Sequence, residues 1–460
     1  MRLAKSLAGT LALGLYSTLM RAVVAPLLPL RLRWRARAEP LYGRFMAERY
    51  GFYGADARLL PKAGAKPLRL WLHAVSLGET RAAEPLLCAL RQQQPDLQLI
   101  LTHGTATGRE TGQALLRQGD VQLWLPIDTP GAVRRFLRAW QPQVGVLMET
   151  EVWPNLQAES ARAGVSVVLA NGRLSERSLA KSLRLHALMR PAVESLKAVL
   201  AQTEADALRF RQAGAAQVEV LGNLKFDITP DPALLALGQR WRSHADPKRP
   251  LILAASWREG EDAPLLAAWQ QLCQRCDAAK RPRPLLVLVP RHPQRFDEVA
   301  AMVQAAGLSL VRRSRWTEAE ADQALATADV WLGDSMREMP AYYALADVAL
   351  LGGSFAPLGG QNLIEAAACA CPVVMGPHTF NFKDAAQGAQ TAQAARRCAD
   401  LPEALDLALH WASDPPALAL ARQAATTFAT AHRGAAEHMA RRILALRKLT
   451  PPECYGSANA

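Results

Sequence analysis

From Leu68 onward, short apolar segments alternate with longer stretches of helical period, and this pattern constrains the fold more than any other feature of the chain. Strands that read as continuous apolar runs are buried on both faces, which requires a parallel sheet covered by crossover helices. The first series comprises Leu68 to His73, Leu97 to Thr102, Val121 to Leu125, Val144 to Met148, Val165 to Ala170, Ala198 to Gln202 and Val218 to Leu221. These fill one doubly wound sheet. The pattern then pauses over Asp227 to Pro250, where Pro230, Pro232, Pro247 and Pro250 surround a short helical run. A second series follows: Leu251 to Ala255, Leu285 to Pro290, Leu308 to Val311, Val330 to Gly333, Val348 to Gly352 and Val373 to Gly376. A chain of 460 residues is also too long for one hydrophobic core. The expected fold class is therefore α/β, with two Rossmann-like domains facing a cleft. The expected division is an anchor and basic flank over 1–37, a first domain over 38–228 and a linker over 229–249. A second domain with closing helices then covers 250–450, and a tail covers 451–460.

Ahead of the first series, Leu7 to Leu30 is almost wholly apolar, interrupted by Arg21, Pro26 and Pro29. Arg31, Arg33, Arg35 and Arg37 follow, interleaved with Leu32 and Trp34, where a cleaved leader would need small residues. An uncleaved membrane anchor is expected, and its basic flank favours the cytoplasmic side and anionic headgroups. A helix buried in the protein's own core remains the alternative. The net charge of +13 has no Lys/Arg stripe alternating with aromatics, so nucleic acid is not an expected partner. A membrane surface or an anionic substrate accounts for it better. Of the seven cysteines, Cys273 and Cys276 have no second pair at zinc spacing, and the nine histidines are scattered. Reduced thiols and no catalytic metal are expected.

Ligands of such sheets bind outside the carboxyl ends of the strands. Past the first strand stands Glu79, at the start of a helical stretch; it suits a general base, or it complements the helix dipole. Past the fourth stand Glu149 and Glu151 beside Trp153 and Pro154, acids placed to position a substrate or raise a neighbour's pKa. Arg173 and Arg177 follow the fifth, and Lys225 follows the last strand of the first series, where an ammonium stabilises a departing phosphate. In the second series Arg291 and His292 end a strand, and Met336, Arg337 and Glu338 occupy a turn. Gly352 and Gly353, then Gly359 and Gly360, lead into Asn362, Leu363, Ile364 and Glu365 and an Ala-rich helix. Glycines let amides approach a phosphate, and an acid one turn in holds ribose hydroxyls. Neither a G-x-G-x-x-G nor a Walker A sequence is present, which points to a nucleotide sugar rather than NAD or ATP.

Taken together these segments resemble the 3-deoxy-D-manno-octulosonic acid (Kdo) transferases of Gram-negative lipopolysaccharide synthesis. The similarity runs through Arg49 to Tyr53, His73 to Glu79, Glu149 to Asn155, Ala170 to Ser178, Leu224 to Asp227, Val289 to Pro293 and Met375 to Asp384. The resemblance implies an inverting, metal-independent glycosyltransferase of the two-Rossmann (GT-B) type, needing no cofactor and held at the cytoplasmic face of the inner membrane. Its donor would be CMP-Kdo and its acceptor a lipid A precursor of the lipid IVA type. Glu79 would be the general base, with Glu149 and Lys225 supporting the transition state. Pro290, Arg291, Met336, Arg337, Glu338, Asn362, Leu363, Ile364 and Glu365 would hold CMP. The chain departs from the common family pattern where Met336, Arg337 and Glu338 replace Met-Gly-Glu, and where Gln361 to Glu365 replaces His-Asn-Pro-Leu-Glu.

Two other functions share the architecture. A nucleotide-sugar epimerase would need neither lipid acceptor nor anchor. A non-catalytic, membrane-docked nucleotide-binding protein would leave the acids and Lys225 spare.

Overall fold

The computed structural model describes residues 2–54, 68–315, 325 and 327–447, so the expected tail over 451–460 lies outside the described residues. The chain forms two compact units, 1–227 with 433–460, and 228–432.

The first unit holds a seven-stranded parallel sheet in the order β3-β2-β1-β4-β5-β6-β7. The strands are β1 (Arg69–His73), β2 (Gln98–His103), β3 (Val121–Trp124), β4 (Val144–Met148), β5 (Ser166–Gly172), β6 (Ala198–Ala201) and β7 (Val218–Val220). The central strands β1 and β4 are buried along their whole length. Where strands lead into helices, Ser76, Thr105, Thr129, Ser175 and Thr203 cap them, each side chain accepting the amide three residues on. Such caps fix where each helix starts and how each strand-end loop is aimed. The strand order reverses between β1 and β4, whose registers run from Leu70 opposite Val144 to His73 opposite Leu147. That switch point makes the crevice.

The second unit repeats the scheme, in the order β10-β11-β9-β8-β12-β13-β14. Here the strands are β8 (Leu251–Trp257), β9 (Leu285–Pro290), β10 (Leu310–Arg312), β11 (Val330–Leu332), β12 (Val348–Leu351), β13 (Val373–Met375) and β14 (Ala395–Arg397). β14 has no counterpart in the sequence reading, because Ala395, Arg396 and Arg397 carry no apolar run; this edge strand is held by pairing with β13.

Two expected boundaries change. The stretch 229–249 is no bare linker: the helix Pro232–His244 packs on the helix Met339–Leu345, and Trp241 stacks edge-on against Trp331 at 5.2 Å. Gly238 permits that approach, since a Cβ there would stand 2.1 Å from the Ala341 carbonyl. At the other end, the helix Ala435–Arg447 belongs to the first unit, not the second. Its Ala435, Ala436, Met439, Ala440 and Ile443 enter the core cluster of Leu72, Ala83, Leu86 and Leu224.

The N-terminal segment is helical from Arg2 to Arg35, with a wider turn at Met20–Val24. Leu7–Arg35 is apolar and long enough to cross a membrane; an 18-residue stretch within it has a mean hydropathy of 1.6 and is 6% buried. It is not a core helix of the protein. One face nonetheless rests on the first unit: Gly9 meets Ala187 and Pro191, the Tyr16 hydroxyl donates to Asp128 (2.9 Å), and the Ser17 hydroxyl meets Asn155 Oδ1 (2.7 Å). Further along, Tyr50 donates to the Ala25 carbonyl (2.7 Å), and Leu32 is buried with Tyr42, Ala106 and Trp124. Arg35 then lies over the Tyr42 ring, Tyr42 stacks on Trp124, and Arg49 lies over Trp124.

Candidate active site

In the first unit the crevice is built by the loops after β1, β4, β5 and β7. Ser76 caps the helix Leu77–Gln93, which sets Glu79 in its first turn. The Glu79 carboxylate turns back to accept the Val75 amide through Oε2 (2.8 Å) and the Ser76 hydroxyl through Oε1 (3.4 Å). Of the two roles left open by the sequence, the geometry shows the acid capping its helix. Burial raises its pKa from 4.5 to about 7, and the charges of Glu149 and Glu151 push in the same direction against the Val75 and Ser76 hydrogen bonds. A carboxylate poised near neutrality is suited to accept a hydroxyl proton.

Glu149 follows β4 with a backbone φ of +55°, the left-handed region that non-glycine residues rarely adopt. Its amide bonds to the Ala170 carbonyl (3.0 Å), and its own carbonyl accepts the Arg173 amide (3.2 Å), so β5 holds the turn in place. The side chain meets the Lys225 ammonium at 3.7 Å, with both side chains mostly buried. Glu151 accepts the Trp153 indole N–H (2.7 Å), and burial raises its pKa. Trp153 thus holds an acid as well as packing. Lys225 lies on the turn Leu224–Asp227, whose Leu224 amide is fixed by Asn171 Oδ1 at 3.1 Å. Arg173 is half-buried beside Glu149, whereas Arg177 is exposed on the next helix. The structure therefore brings Glu79, Glu149, Glu151 and Lys225 into one electrostatic group and leaves Arg177 apart. His73 is buried and neutral: burial lowers its pKa to about 3, and Nδ1 meets Thr102 at 3.0 Å.

In the second unit, Pro290 ends β9 and is buried, while Arg291 is exposed and its Nε donates to Gln361 Oε1 (3.3 Å). That contact joins the loops after β9 and β12 across β8. Met336 and Arg337 are exposed, and Arg337 has a φ of +67°. Glycine takes that conformation without cost, so Arg337 carries backbone strain where the resembling family often has Gly. Glu338 is engaged by Arg313 (3.0 Å) and Ser335 (2.5 Å). Asn362 caps the short helix Leu363–Ala368 through the Ile364 amide (3.2 Å); Leu363 and Ile364 are buried, Glu365 half-buried.

The glycine-rich loop differs from expectation. The amides of Gly353, Phe355 and Ala356 are taken by the buried Glu261 carboxylate at 2.7, 2.9 and 3.1 Å, so they do not approach a phosphate. Gly352 instead allows close packing, since a Cβ there would stand 2.3 Å from the Ser256 carbonyl. Glu261 went unread in the sequence, although an acid a few residues past β8 was the available signal. Asp128 was likewise unread. It accepts the Asn155 and Leu156 amides (3.1 and 2.7 Å) and the Tyr16 hydroxyl, and burial raises its pKa to about 6. Among the described residues no group of three or more His, Cys, Asp or Glu side chains is placed to hold a metal ion.

Two parallel α/β units, each with the strand order of its sheet reversing at the centre, make an architecture of GT-B type. Solved structures of the same fold include Anabaena Alr3699/HepE in complex with UDP (TM-score 0.54, 13% identity, 83% of this chain and 100% of that one). A UDP-N-acetylglucosamine 2-epimerase also shares it (TM-score 0.51, 14% identity, 84% and 99%). At such identities only the fold is shared. A family profile described as 3-deoxy-D-manno-octulosonic-acid transferase (kdotransferase) matches residues 44–228. The 3-deoxy-D-manno-octulosonic acid transferase of Bordetella pertussis is 48% identical over 428 residues, covering 92% of this chain and 96% of its own. That of Haemophilus influenzae is 35% identical over 347 residues, covering 75% and 78%. The chain belongs to the 3-deoxy-D-manno-octulosonic acid transferase family and is a Kdo transferase; the epimerase alternative is not favoured.

With its pKa near 7, Glu79 is mostly protonated at pH 6; were it the base, kcat/KM would rise through about pH 7. Glu149→Gln removes a charge that raises this value, and should move the acid limb to lower pH. The pH–rate profiles of the two proteins check both statements.

Proposed function

We propose that this Kdo transferase takes CMP-Kdo as donor and a lipid A precursor of the lipid IVA type as acceptor, with Glu79 as general base. The observation that carries this is the buried carboxylate raised to about 7 beside the Glu149–Lys225 pair. Glu79 removes the proton from an acceptor sugar hydroxyl while the oxygen attacks the anomeric carbon of Kdo. The bond from that carbon to the CMP phosphate oxygen breaks on the opposite side, inverting the centre. Lys225, held by Glu149, offsets the negative charge gathering on the departing phosphate. Arg291 supplies a second cation near the nucleotide, with Pro290, Met336, Arg337, Glu338 and Asn362 to Glu365 forming its seat. The reaction needs no metal ion or cofactor in this reading, because protein cations stabilise the leaving group.

Glu79→Gln keeps an acceptor for the Val75 amide and so should fold normally. Native Glu79 binds its proton more tightly than an unfolded one, so its charging costs stability as pH rises from 4.5 through 7. The Gln variant is freed of that cost. Transfer from CMP-Kdo to lipid IVA should fall about 100- to 10,000-fold, the usual contribution of a general base. Near-normal transfer by a folded variant would refute the assignment.

The N-terminal helix is proposed to lie in the surface of the inner membrane at its cytoplasmic face. Contacts with the first unit recur from Gly9 to Leu32, roughly 35 Å of helix. That exceeds the roughly 30 Å hydrocarbon core a spanning helix must cross free of the protein body. Leu7, Leu11, Leu15, Leu19, Val23, Leu27, Leu30 and Trp34 are exposed along the helix, as are Arg21, Arg31, Arg33 and Arg37. Exposed apolar side chains flanked by arginines suit the boundary between acyl chains and anionic headgroups. Spin labels at Leu7, Leu15, Val23 and Leu30, read in anionic vesicles, should report similar shallow depths. A steady change of depth through the bilayer centre would show a spanning helix.

A further inference from the structure

Lys225 is placed by a short turn, and three ties fix the backbone of that turn. Upstream, the Leu224 amide donates to Asn171, which is fully buried. Within it, the Lys225 amide donates to Asn223 Oδ1 at 3.0 Å. Downstream, Asp227 accepts the amides of Gly434 (2.5 Å) and Ala436 (2.7 Å). Those amides open the helix Ala435–Arg447, more than two hundred residues later in the chain, where the polypeptide has returned from the second unit. Asp227 is also the last residue before the chain leaves the first unit. One carboxylate therefore joins both crossings, two residues from the lysine.

The returning helix reaches the other catalytic element as well. Met439 and Ala440 share a core cluster with Ala83 and Leu86 of the helix that carries Glu79, and with Leu224 of the lysine's turn. Arg442 pairs with Glu219 of β7 at 2.6 Å, holding the same helix against the strand that feeds the turn. A capping carboxylate fixes where a helix begins. Here the helix is already anchored by its packing, so the tie acts in the other direction and fixes the turn. A lysine needs such support, because its flexible stem reaches its target only from a defined backbone position.

We infer that Asp227 is a positioning residue for Lys225: it locks the turn bearing the lysine to the C-terminal helix and so sets the ammonium against Glu149. The inference rests on the reading of Lys225 as a group that acts on the departing phosphate. The first unit is then catalytically complete only with residues 433–447 in place.

The test is a double-mutant cycle in the full-length, detergent-solubilised enzyme, with CMP-Kdo and lipid IVA as substrates. Asp227→Ala should lower kcat about 10- to 100-fold, the cost of misplacing a catalytic group by about an ångström. The KM for CMP-Kdo should stay within about twofold, since the proposed nucleotide residues lie in the other unit. Asp227→Asn keeps an acceptor for one amide and should recover most of the loss; it also carries the cycle alone if Asp227→Ala does not fold. In a Lys225→Ala background either substitution should cost less than about twofold, because the residue it positions is gone. Multiplying losses would show a merely structural cap and overturn the inference, as would a folded Asp227→Ala with native kcat. Near-native transfer by Lys225→Ala alone would instead overturn the reading of Lys225, and the inference with it.

Discussion

The parallel pairing of β1 with β4 is the constraint on which the first unit depends. Strands Arg69–His73 and Val144–Met148 lie side by side because the chain runs out to one edge of the sheet and returns to the centre. Their loops diverge to opposite faces at that point and leave a crevice between them. Glu79 comes from one loop and Glu149 from the other. Burial there makes the negative charge of Glu79 costly, and a rise from 4.5 to about 7 corresponds to roughly 3 kcal/mol. The two neighbouring acids add to the effect, while Lys225 partly balances Glu149. The site thus holds a carboxyl group with raised proton affinity beside an acid that is itself paired with a lysine.

The N-terminal helix follows a different logic. Its length and hydropathy are those of a membrane span, but its polar residues Tyr16 and Ser17 are matched by Asp128 and Asn155 on the protein body. Asp128 also caps the helix Pro154–Arg162, which follows the loop of Glu149 and Glu151. The N-terminal helix and the acid-bearing loop therefore share one buried carboxylate. The alternating Arg35, Tyr42, Trp124 and Arg49 stack fixes the basic end of the helix, where cation–π contacts let guanidinium groups approach apolar surface.

What was legible in the sequence is what depends on local pattern. Buried parallel strands are apolar throughout, so the run Val144 to Met148 announces itself, and the residues just past such runs are the ones that reach the crevice; Glu79, Glu149 and Lys225 were read that way. Ala395 to Arg397 was not, because an edge strand of three residues owes its existence to its neighbour. The stretch 229–249 reads as a linker around a short helical run, and its helix Pro232–His244 is underread because prolines mark helix starts as well as breaks. The C-terminal helix reads as part of the nearer domain, since an Ala-rich amphipathic pattern carries no address; its place is set by Asp227 and the core around Leu224. Glu261 shows the limit most clearly. A glycine-rich loop suggests amides open to a phosphate, and only the three-dimensional structure reveals that an acid from the loop after β8 already occupies them.

The proposed chemistry turns on the proton affinity of one carboxyl group. Carboxyl-carbon NMR of the full-length enzyme labelled at glutamate, with the Glu79 signal assigned by its loss in Glu79→Gln, measures that quantity without any substrate. A midpoint near 7 is the predicted result. A midpoint in the ordinary range of exposed glutamates, near 4.5, would contradict it and return Glu79 to the role of a helix cap.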